Sequence, residues 1–539
     1  MKKLPIGIQD FGEIRARNYY YVDKTYFVWK LTEEGKYYFL SRPRRFGKSL
    51  FVSTLKHAFE GKKELFEGLF LYDKWDWSQK YPVILIDFSA QKVKTPEELE
   101  SFIMNRLMEI ASYYRESITS KTYYEAFYEL IKKLSKHNKV VVLIDEYDKP
   151  VLDNIENQEL ARECREVLKG FYQVIKPADP YLKFVFLTGV SKFSKMSIFS
   201  GLNNLNDITL NIKYAEICGY TQSELENVFS DRILDLKKEF GEKILEDIKF
   251  WYNGYSWGGE PLYNPFDILL FFENKRFKAF WFETGTPEFL IKLIREKRYY
   301  VPDLERLKVG EEILEAFDVG TIKLEALLFQ TGYLTIKEIE RFNFGMQIYT
   351  LGYPNFEVKV ALNSHILNEL IRSDEKIYET KQVLRELIER NDFEGMRELF
   401  YSFFASIPYD WYRKNQLSGY EGYYASVFYA YFVSSGFDVR VEDTTSKGKI
   451  DMTVLYKDRA YIFEFKVVDI EGGSVVLRGK RKVKGKKGKG LKKRSDALLQ
   501  IKEKRYWEKY SGSKEIYIVG VEFESASRNI VGFEWERIK

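Results

Sequence analysis

Two short runs of the chain carry residues whose types and spacing do chemistry. The first is Arg42-Pro43-Arg44-Arg45-Phe46-Gly47-Lys48-Ser49, which follows the apolar run 37–40 and opens an amphipathic stretch. A phosphate chain needs backbone N–H donors, a helix N-terminus and a reaching cation, and Gly47-Lys48-Ser49 at a strand-to-helix junction supplies all three. Lys48 would reach the β- and γ-phosphates of ATP or GTP, and the Ser49 hydroxyl would bind Mg²⁺. The ordinary phosphate loop carries a glycine five positions before Gly47, and Arg42 stands there instead. The apolar run 140–144 ends in Asp145-Glu146, where a strand would deliver two carboxylates to the C-terminal edge of a sheet. Asp145 is then placed to hold Mg²⁺ through water and Glu146 to polarise the attacking water. The run 184–187 ends in Thr188, suited to sense the γ-phosphate. The plain alternative makes Asp145-Glu146 a helix cap and Lys48 a surface lysine; it is the weaker, because the groups recur together at strand ends. Arg44 and Arg45 read equally as phosphate contacts or as solvated loop residues.

The second run is Gly448-Lys449-Ile450-Asp451-Met452-Thr453-Val454-Leu455-Tyr456, returning after Lys457-Asp458 as Arg459-Ala460-Tyr461-Ile462-Phe463-Glu464-Phe465-Lys466. With a two-residue hairpin loop, Tyr456 pairs with Arg459 and Asp451 lies opposite Glu464. Facing carboxylates repel unless a cation sits between them. Lys466 shares the face of Glu464 because side chains alternate along a strand. Ile450, Met452, Phe463 and Phe465 are expected on the opposite, apolar face. An Asp, Glu and Lys group of this kind suits metal-assisted phosphodiester hydrolysis, with Asp451 and Glu464 holding Mg²⁺ (or Mn²⁺) and Lys466 steadying the charge on the phosphate. A solvated hairpin face fits the same residues equally well. Glu421, on the helical face of Tyr424, Val427, Phe428 and Tyr431, is a candidate third carboxylate, and Gln500 a candidate substrate contact. Each also reads as ordinary helix surface.

The elements that must position these groups follow from periodicity. In residues 1–215 apolar runs (37–40, 83–88, 140–144, 184–187 and the alternating Ile208-Leu210-Ile212) alternate with amphipathic stretches near 49–60, 97–113, 121–136 and 157–174. Runs apolar on both faces are what a buried parallel sheet needs, so an α/β doubly wound domain is expected there. Residues 216–400 read as mostly helical, a lid or linker region. Residues 401–539 read as a smaller α/β domain with strands near 449–456, 460–467 and a last one at 516–523.

Composition narrows the function classes. The chain has 539 residues, too many for one core, and 31% charged residues. Two cysteines and three histidines exclude a disulfide framework and make a Cys- or His-ligated metal site improbable. No run is long and apolar enough to span a membrane and the N-terminus resembles no secretory signal, so a cytoplasmic protein is expected. Abundant Lys and Glu with many aromatics suits a hyperthermophile. The net charge of +5 hides an asymmetry: residues 478–494 hold eleven Lys or Arg and no acid, and without them the chain carries −6. Lys480, Arg481, Lys482, Lys486, Lys487, Lys492, Lys493 and Arg494 in this Lys/Gly arm would bind nucleic acid through its phosphates; the other reading is a solvated lysine loop.

The loop at 42–49, with Leu143-Ile144-Asp145-Glu146-Tyr147-Asp148 and Thr188-Gly189-Val190-Ser191-Lys192-Phe193-Ser194, resembles the AAA-ATPase-like family of bacteria and archaea. Tyr263-Asn264-Pro265-Phe266, Gln330-Thr331-Gly332-Tyr333-Leu334-Thr335 and Gly352-Tyr353-Pro354-Asn355 match it too. In that family the Arg-Pro-Arg-Arg form of the loop is usual. From Glu421 onward the chain resembles a PD-(D/E)xK nuclease domain, whose motif falls on Asp451, Glu464 and Lys466, flanked by Glu421 and Gln500. The basic arm is not part of that pattern. The resemblance implies a P-loop ATPase joined to a Mg²⁺-dependent nuclease acting on nucleic acid, DNA before RNA, with a role in mobile elements or defence. Two other classes remain: a nucleotide-dependent switch that binds nucleic acid without cutting it, and an ATPase acting on a protein partner. A homo-oligomer stays open.

Overall fold

The structure is a computed structural model describing residues 1–90, 92–192, 202, 204–283, 288–297, 299–315, 323–342, 345–371, 374–407, 421–445, 447–471, 474–477 and 496–539. It divides into two compact units, Met1–Thr286 with Leu307–Glu357, and Pro287–Arg306 with Val358–Lys539. The middle region expected at 216–400 is therefore shared between them.

The first unit is built on strands β1 (Tyr37–Ser41), β2 (Val83–Asp87), β3 (Val140–Asp145), β4 (Leu182–Gly189) and β5 (Asn206–Asp207), in the order β2-β3-β4-β1-β5. All four pairings are parallel. Every residue of β1 and β3 is buried, as expected where helices cover both faces. The helices Lys48–Phe59, Pro96–Tyr113, Tyr123–Leu134 and Gln158–Gln173 match the amphipathic stretches. The expected strand at 208–212 is absent. Pairing with β1 stops at Asp207, whose carboxylate accepts the Thr209 N–H, and Asn211 does the same for Lys213. These local side-chain bonds offer the backbone an alternative to a ladder.

The rest of this unit is mainly helical, with elements the sequence reading did not anticipate: a pair β6 (Asn253–Tyr255) and β7 (Leu262–Tyr263), and an antiparallel sheet of β8 (Leu307–Gly310), β9 (Thr335–Arg341) and β10 (Gln347–Gly352). The charged outer faces of β9 and the brevity of β6–β8 hide them from a periodicity search.

The second unit holds β11 (Asp438–Thr445), β12 (Gly448–Tyr456), β13 (Arg459–Glu471), β14 (Ser474–Leu477), β15 (Glu515–Glu524) and β16 (Asn529–Arg537), ordered β11-β12-β13-β15-β16 with β14 on β13. β15 is thus not the last strand: the chain turns at Arg528, φ +59°, and β16 returns antiparallel. The helix Glu421–Ser434 is buried from Tyr423 through Val433, all round and not along one stripe. Phe400 stacks on Phe428 at 4.1 Å from one side, while Phe463 and Phe465 of the sheet meet Phe432 and Phe428 at 5.5 and 5.1 Å from the other. A helix apolar on its whole circumference belongs inside a core.

Candidate functional site

Because β1, β3 and β4 run parallel, their C-terminal ends reach the same edge of the sheet. β1 ends at Ser41, and the chain turns through the loop into the helix beginning at Lys48. Gly47 caps that helix at φ +96°, with nothing within 4 Å of where a Cβ would stand. Only glycine takes this left-handed turn without strain while leaving the loop N–H groups open to a ligand. Arg42 is fully buried and lines no part of the cavity. Its Nη1 donates to the Ser41 and Thr209 carbonyls (2.8 and 3.0 Å), and its Nη2 to those of Tyr214 and Ala215 (3.1 and 3.4 Å). Its guanidinium lies 4.1 Å over the Trp257 ring, and burial pushes it down to about 10. The residue that departs from the ordinary loop is therefore a brace behind it.

Lys48, 4% exposed, donates from Nζ to the carbonyls of Arg42 (3.0 Å) and Pro43 (3.1 Å), 3.5 Å from Glu146 Oε1. Asp145 is buried at the end of β3, where desolvation pushes its carboxyl up to about 7 against the opposing hydrogen bond from Ser49. Glu146 follows at φ +53°, a conformation uncommon for a residue with a side chain. Thr188 is fully buried and its hydroxyl has no hydrogen-bond partner. Ser49, Asp145 and Glu146 offer oxygens only, the donor set Mg²⁺ takes, and the Ser49–Asp145 pair fits it.

Asp148 is the residue of this site whose role the sequence did not disclose. Its buried carboxylate accepts the N–H of Val190 (3.1 Å), the N–H of Ser191 (2.5 Å) and the Ser191 hydroxyl (2.5 Å), latching the exit of β3 to the exit of β4. A cavity of about 440 Å³ opens in front of the loop. Arg44, Arg45, Lys48, Ser49 and Glu146 form its polar side, and Pro5, Ile8, Ile14, Pro265 and Phe266 its apolar side. Both arginines are exposed, and the Arg45 guanidinium lies 5.0 Å over the Phe266 ring.

In the second unit the expected hairpin is present: Tyr456 pairs with Arg459 and the register runs to Met452–Phe463, so Asp451 and Glu464 come next. The pairing of β12 with β13 stops at Met452–Phe463, before Asp451 and Glu464 would face each other, and the Asp451 carboxylate instead accepts the Phe465 N–H at 2.9 Å. Met452, Phe463 and Phe465 are buried as expected, but Ile450 packs with Ala460, Ile462, Leu498 and Ile501. Past Met452 the strand stays paired with β11 alone, through Asp443–Ile450 to Thr445–Gly448, so the register with β13 no longer sets which of its side chains meet those of β13. Glu464 is 1% exposed; the Gln500 side-chain amide donates to its Oε1, and Lys466 Nζ lies 3.4 Å from the same oxygen.

Gly520 explains how Gln500 arrives there. It stands beside Glu464 in the parallel β13–β15 register, and a Cβ on it would lie 2.5 Å from the Leu498 backbone nitrogen. The helix Asp496–Lys504 thus rests directly on the strand, its first N–H held by Glu522 Oε1 at 2.8 Å. Tyr506 joins the group unannounced by the sequence: burial raises its phenol, with the charge of Glu464 adding and a hydrogen bond to Gln500 opposing. Asp451 and Glu464 fit a hard divalent cation by donor type; among the described residues no group of three or more such ligands converges. The Glu421 side chain and the whole arm, Lys480 to Arg494 included, lie outside the described residues, as do Phe193 and Ser194. No helix among the described residues is long and apolar enough to cross a membrane.

Comparison with known proteins matches one family model in each of the two regions. Residues 5–199 match the family described as "Predicted AAA-ATPase", and residues 419–533 match the PD-(D/E)XK nuclease superfamily. A protein of Azotobacter chroococcum mcd 1, described as "Uncharacterized protein in vnfD 5'region", is 46% identical over 541 residues, covering 100% of this chain and 99% of that one. The chain belongs to a family of proteins that join an AAA-ATPase-like domain to a C-terminal PD-(D/E)XK nuclease superfamily domain.

Proposed function

We propose that the protein binds and hydrolyses ATP at the 42–49 loop and cleaves nucleic acid, DNA before RNA, at the Asp451–Glu464–Lys466 group, the nucleotide state governing cleavage. The observation that carries this reading is the meeting of Lys466 and Gln500 on the Glu464 carboxylate, with Asp451 held on the neighbouring Phe465 N–H, in a chain whose other unit gathers Lys48, Asp145 and Glu146 at one sheet edge. At the first site Lys48 would leave the Arg42 and Pro43 carbonyls for the β- and γ-phosphates, while Glu146 accepts a proton from the attacking water. Ser49 and Asp145 would hold Mg²⁺, and the apolar wall of Pro5, Ile8 and Phe266 would take the base. Arg44 and Arg45 face the phosphates. Thr188, its hydroxyl unpartnered, senses the terminal phosphate.

At the second site Asp451 and Glu464, with Glu421 as a third carboxylate, would hold Mg²⁺ or Mn²⁺, which when bound makes water a better nucleophile. Lys466 steadies charge on the phosphate and Gln500 keeps the Glu464 carboxylate oriented. The arm at 478–494 would supply salt-sensitive attraction to the phosphate backbone.

The test is cleavage of labelled single- and double-stranded DNA and RNA with Mg²⁺ or Mn²⁺, with and without ATP, beside Lys48→Ala and Asp451→Ala. Cleavage lost in Asp451→Ala and altered by ATP only when Lys48 is present is the expected result. Absence of cleavage with retained salt-sensitive binding would overturn the nuclease reading in favour of a nucleotide-dependent switch.

A further inference from the structure

Three of the sequence motifs noted above supply no reacting group so far: 263–266, which lends only its apolar wall, 330–335 and 352–355. In the first unit each leads back to the phosphate loop. Phe266 lies under Arg45, and Gly332 faces Pro43 and the Trp281 ring. The first and last motifs are followed by Asp267 and Glu357, both fully buried. Their carboxyl groups converge on one donor: the Trp281 N–H lies 2.7 Å from Asp267 Oδ1 and 3.1 Å from Glu357 Oε1. Two acceptors on one N–H bring the carboxyl groups within reach of one another, and the charge of Asp267 raises Glu357. Two carboxylates both accept, so a hydrogen bond between them requires a proton. Asp267 Oδ2 and Glu357 Oε2 have no hydrogen-bond partner among the described residues. The Trp281 indole Nε1 in turn donates to the Arg44 carbonyl at 3.0 Å.

We propose that Asp267 and Glu357 share one proton and act as positioning residues for the phosphate loop, holding Trp281 and through its indole the backbone of Arg44. The inference rests on reading that loop as the nucleotide site. The groups facing the pair are the Tyr252 and Tyr255 phenols, with Tyr333 beyond Tyr255, and the Phe282 N–H, which bonds Glu357. The phenols are raised by burial and stay neutral, and among the described residues neither acid is in an ion pair with a lysine, arginine or histidine. A second negative charge here has no counter-charge. Burial raises both carboxyl groups, so the folded protein holds more protons than the unfolded chain above the ordinary carboxyl range near 4. Stability therefore falls as pH rises through that window and levels off once the pair has lost its proton. Repulsion between the two carboxylates would then loosen Trp281 and the loop.

The test uses the full chain with Glu357→Gln, whose amide keeps an acceptor for Trp281 and supplies Asp267 with a permanent donor. Thermal unfolding and ATP affinity by calorimetry are followed from pH 6 to 9, beside Lys48→Ala. In the unsubstituted protein both should decline, the ATP Kd rising about fivefold or more, and in Glu357→Gln both profiles should flatten. Parallel unfolding profiles in the two proteins would overturn the shared proton. A flattened unfolding profile with unchanged pH dependence of ATP affinity would overturn the link to the loop. Equal ATP binding by Lys48→Ala would instead overturn the nucleotide site itself, leaving the unfolding profiles to decide the pair. Asp267→Asn, which also keeps the Trp281 acceptor, provides a second variant should Glu357→Gln fail to fold.

Discussion

Substituting Arg42→Gly restores the glycine of an ordinary phosphate loop, and the structure predicts that it damages this one. Arg42 donates four hydrogen bonds to main-chain carbonyls from a fully buried position. Bonds to a charged group contribute about 1.5 kcal/mol each at the low end, about 6 kcal/mol together, and stacking on Trp257 adds about 1 kcal/mol. Removing the buried cation recovers about 3 kcal/mol of desolvation, the scale implied by its downward push to about 10. The net loss is about 4 kcal/mol, or about 6 °C in the unfolding transition of the unit that contains it. Arg42→Lys, which keeps the charge but loses the planar fork, should fall in between. Calorimetry resolves the transition, and ATP titration measures the loop. An unchanged transition together with undiminished ATP affinity in Arg42→Gly would refute the assignment of Arg42 as the brace.

Lys48→Ala should weaken ATP binding about 100-fold, as expected for losing a charge-assisted contact to phosphate, while leaving nuclease-domain unfolding unchanged; isothermal titration and calorimetry read the two. Gly520→Ala should push the helix 496–504 off the sheet, lower the unfolding transition of the second unit by about 1–3 kcal/mol and cut cleavage, without altering ATP affinity. Asp451→Asn should abolish cleavage while leaving both unfolding transitions within about 1 kcal/mol, since its amide oxygen still accepts from Phe465. Cys164 and Cys218 are buried, and burial raises both thiols, Cys164 to about 11, so at pH 8 about one in a thousand Cys164 side chains is thiolate. Neither should react with an aromatic disulfide reagent until the protein is unfolded, and rapid labelling of the folded protein would contradict that packing.

What was legible in the sequence follows from how local the signal is. Strands β1 to β4 announced themselves because strands buried on both faces read as unbroken apolar runs, and the hairpin because a two-residue turn fixes the register from Tyr456–Arg459 to Met452–Phe463. The placement of Lys48 and Ser49 at the start of a helix and of Asp145 and Glu146 at the end of β3 was equally readable, since both junctions are local. Arg42 was readable only as an oddity; its acceptors lie at Thr209, Tyr214 and Ala215, far along the chain. Asp148, Tyr506 and the Asp267–Glu357 pair were opaque for the same reason, their partners being set by packing. The short strands β6 to β8, and β5 ending at Asp207, mark the other limit: a few residues of ladder compete evenly with a side chain that bonds its own backbone.

The order in which the chain visits its two units has a practical side. It leaves the first after residue 286, enters it again at 307, and leaves finally after 357. The excursion between is not a passive loop, because the Val301 N–H binds Ser426, Tyr429 binds Glu305, and Glu305 pairs with Lys359 at 2.6 Å. A gene fragment starting at the nuclease homology would therefore omit Phe400, which stacks on the central helix, and the whole visiting segment. Such a fragment exposes Phe428 to water and should be recovered as aggregate. A protease that nicks one junction leaves the two halves still joined by polypeptide, so they should travel together through size exclusion until denaturant is added. Dissecting the protein by deletion is thus a poor way to ask which half does what, and point substitution the better one.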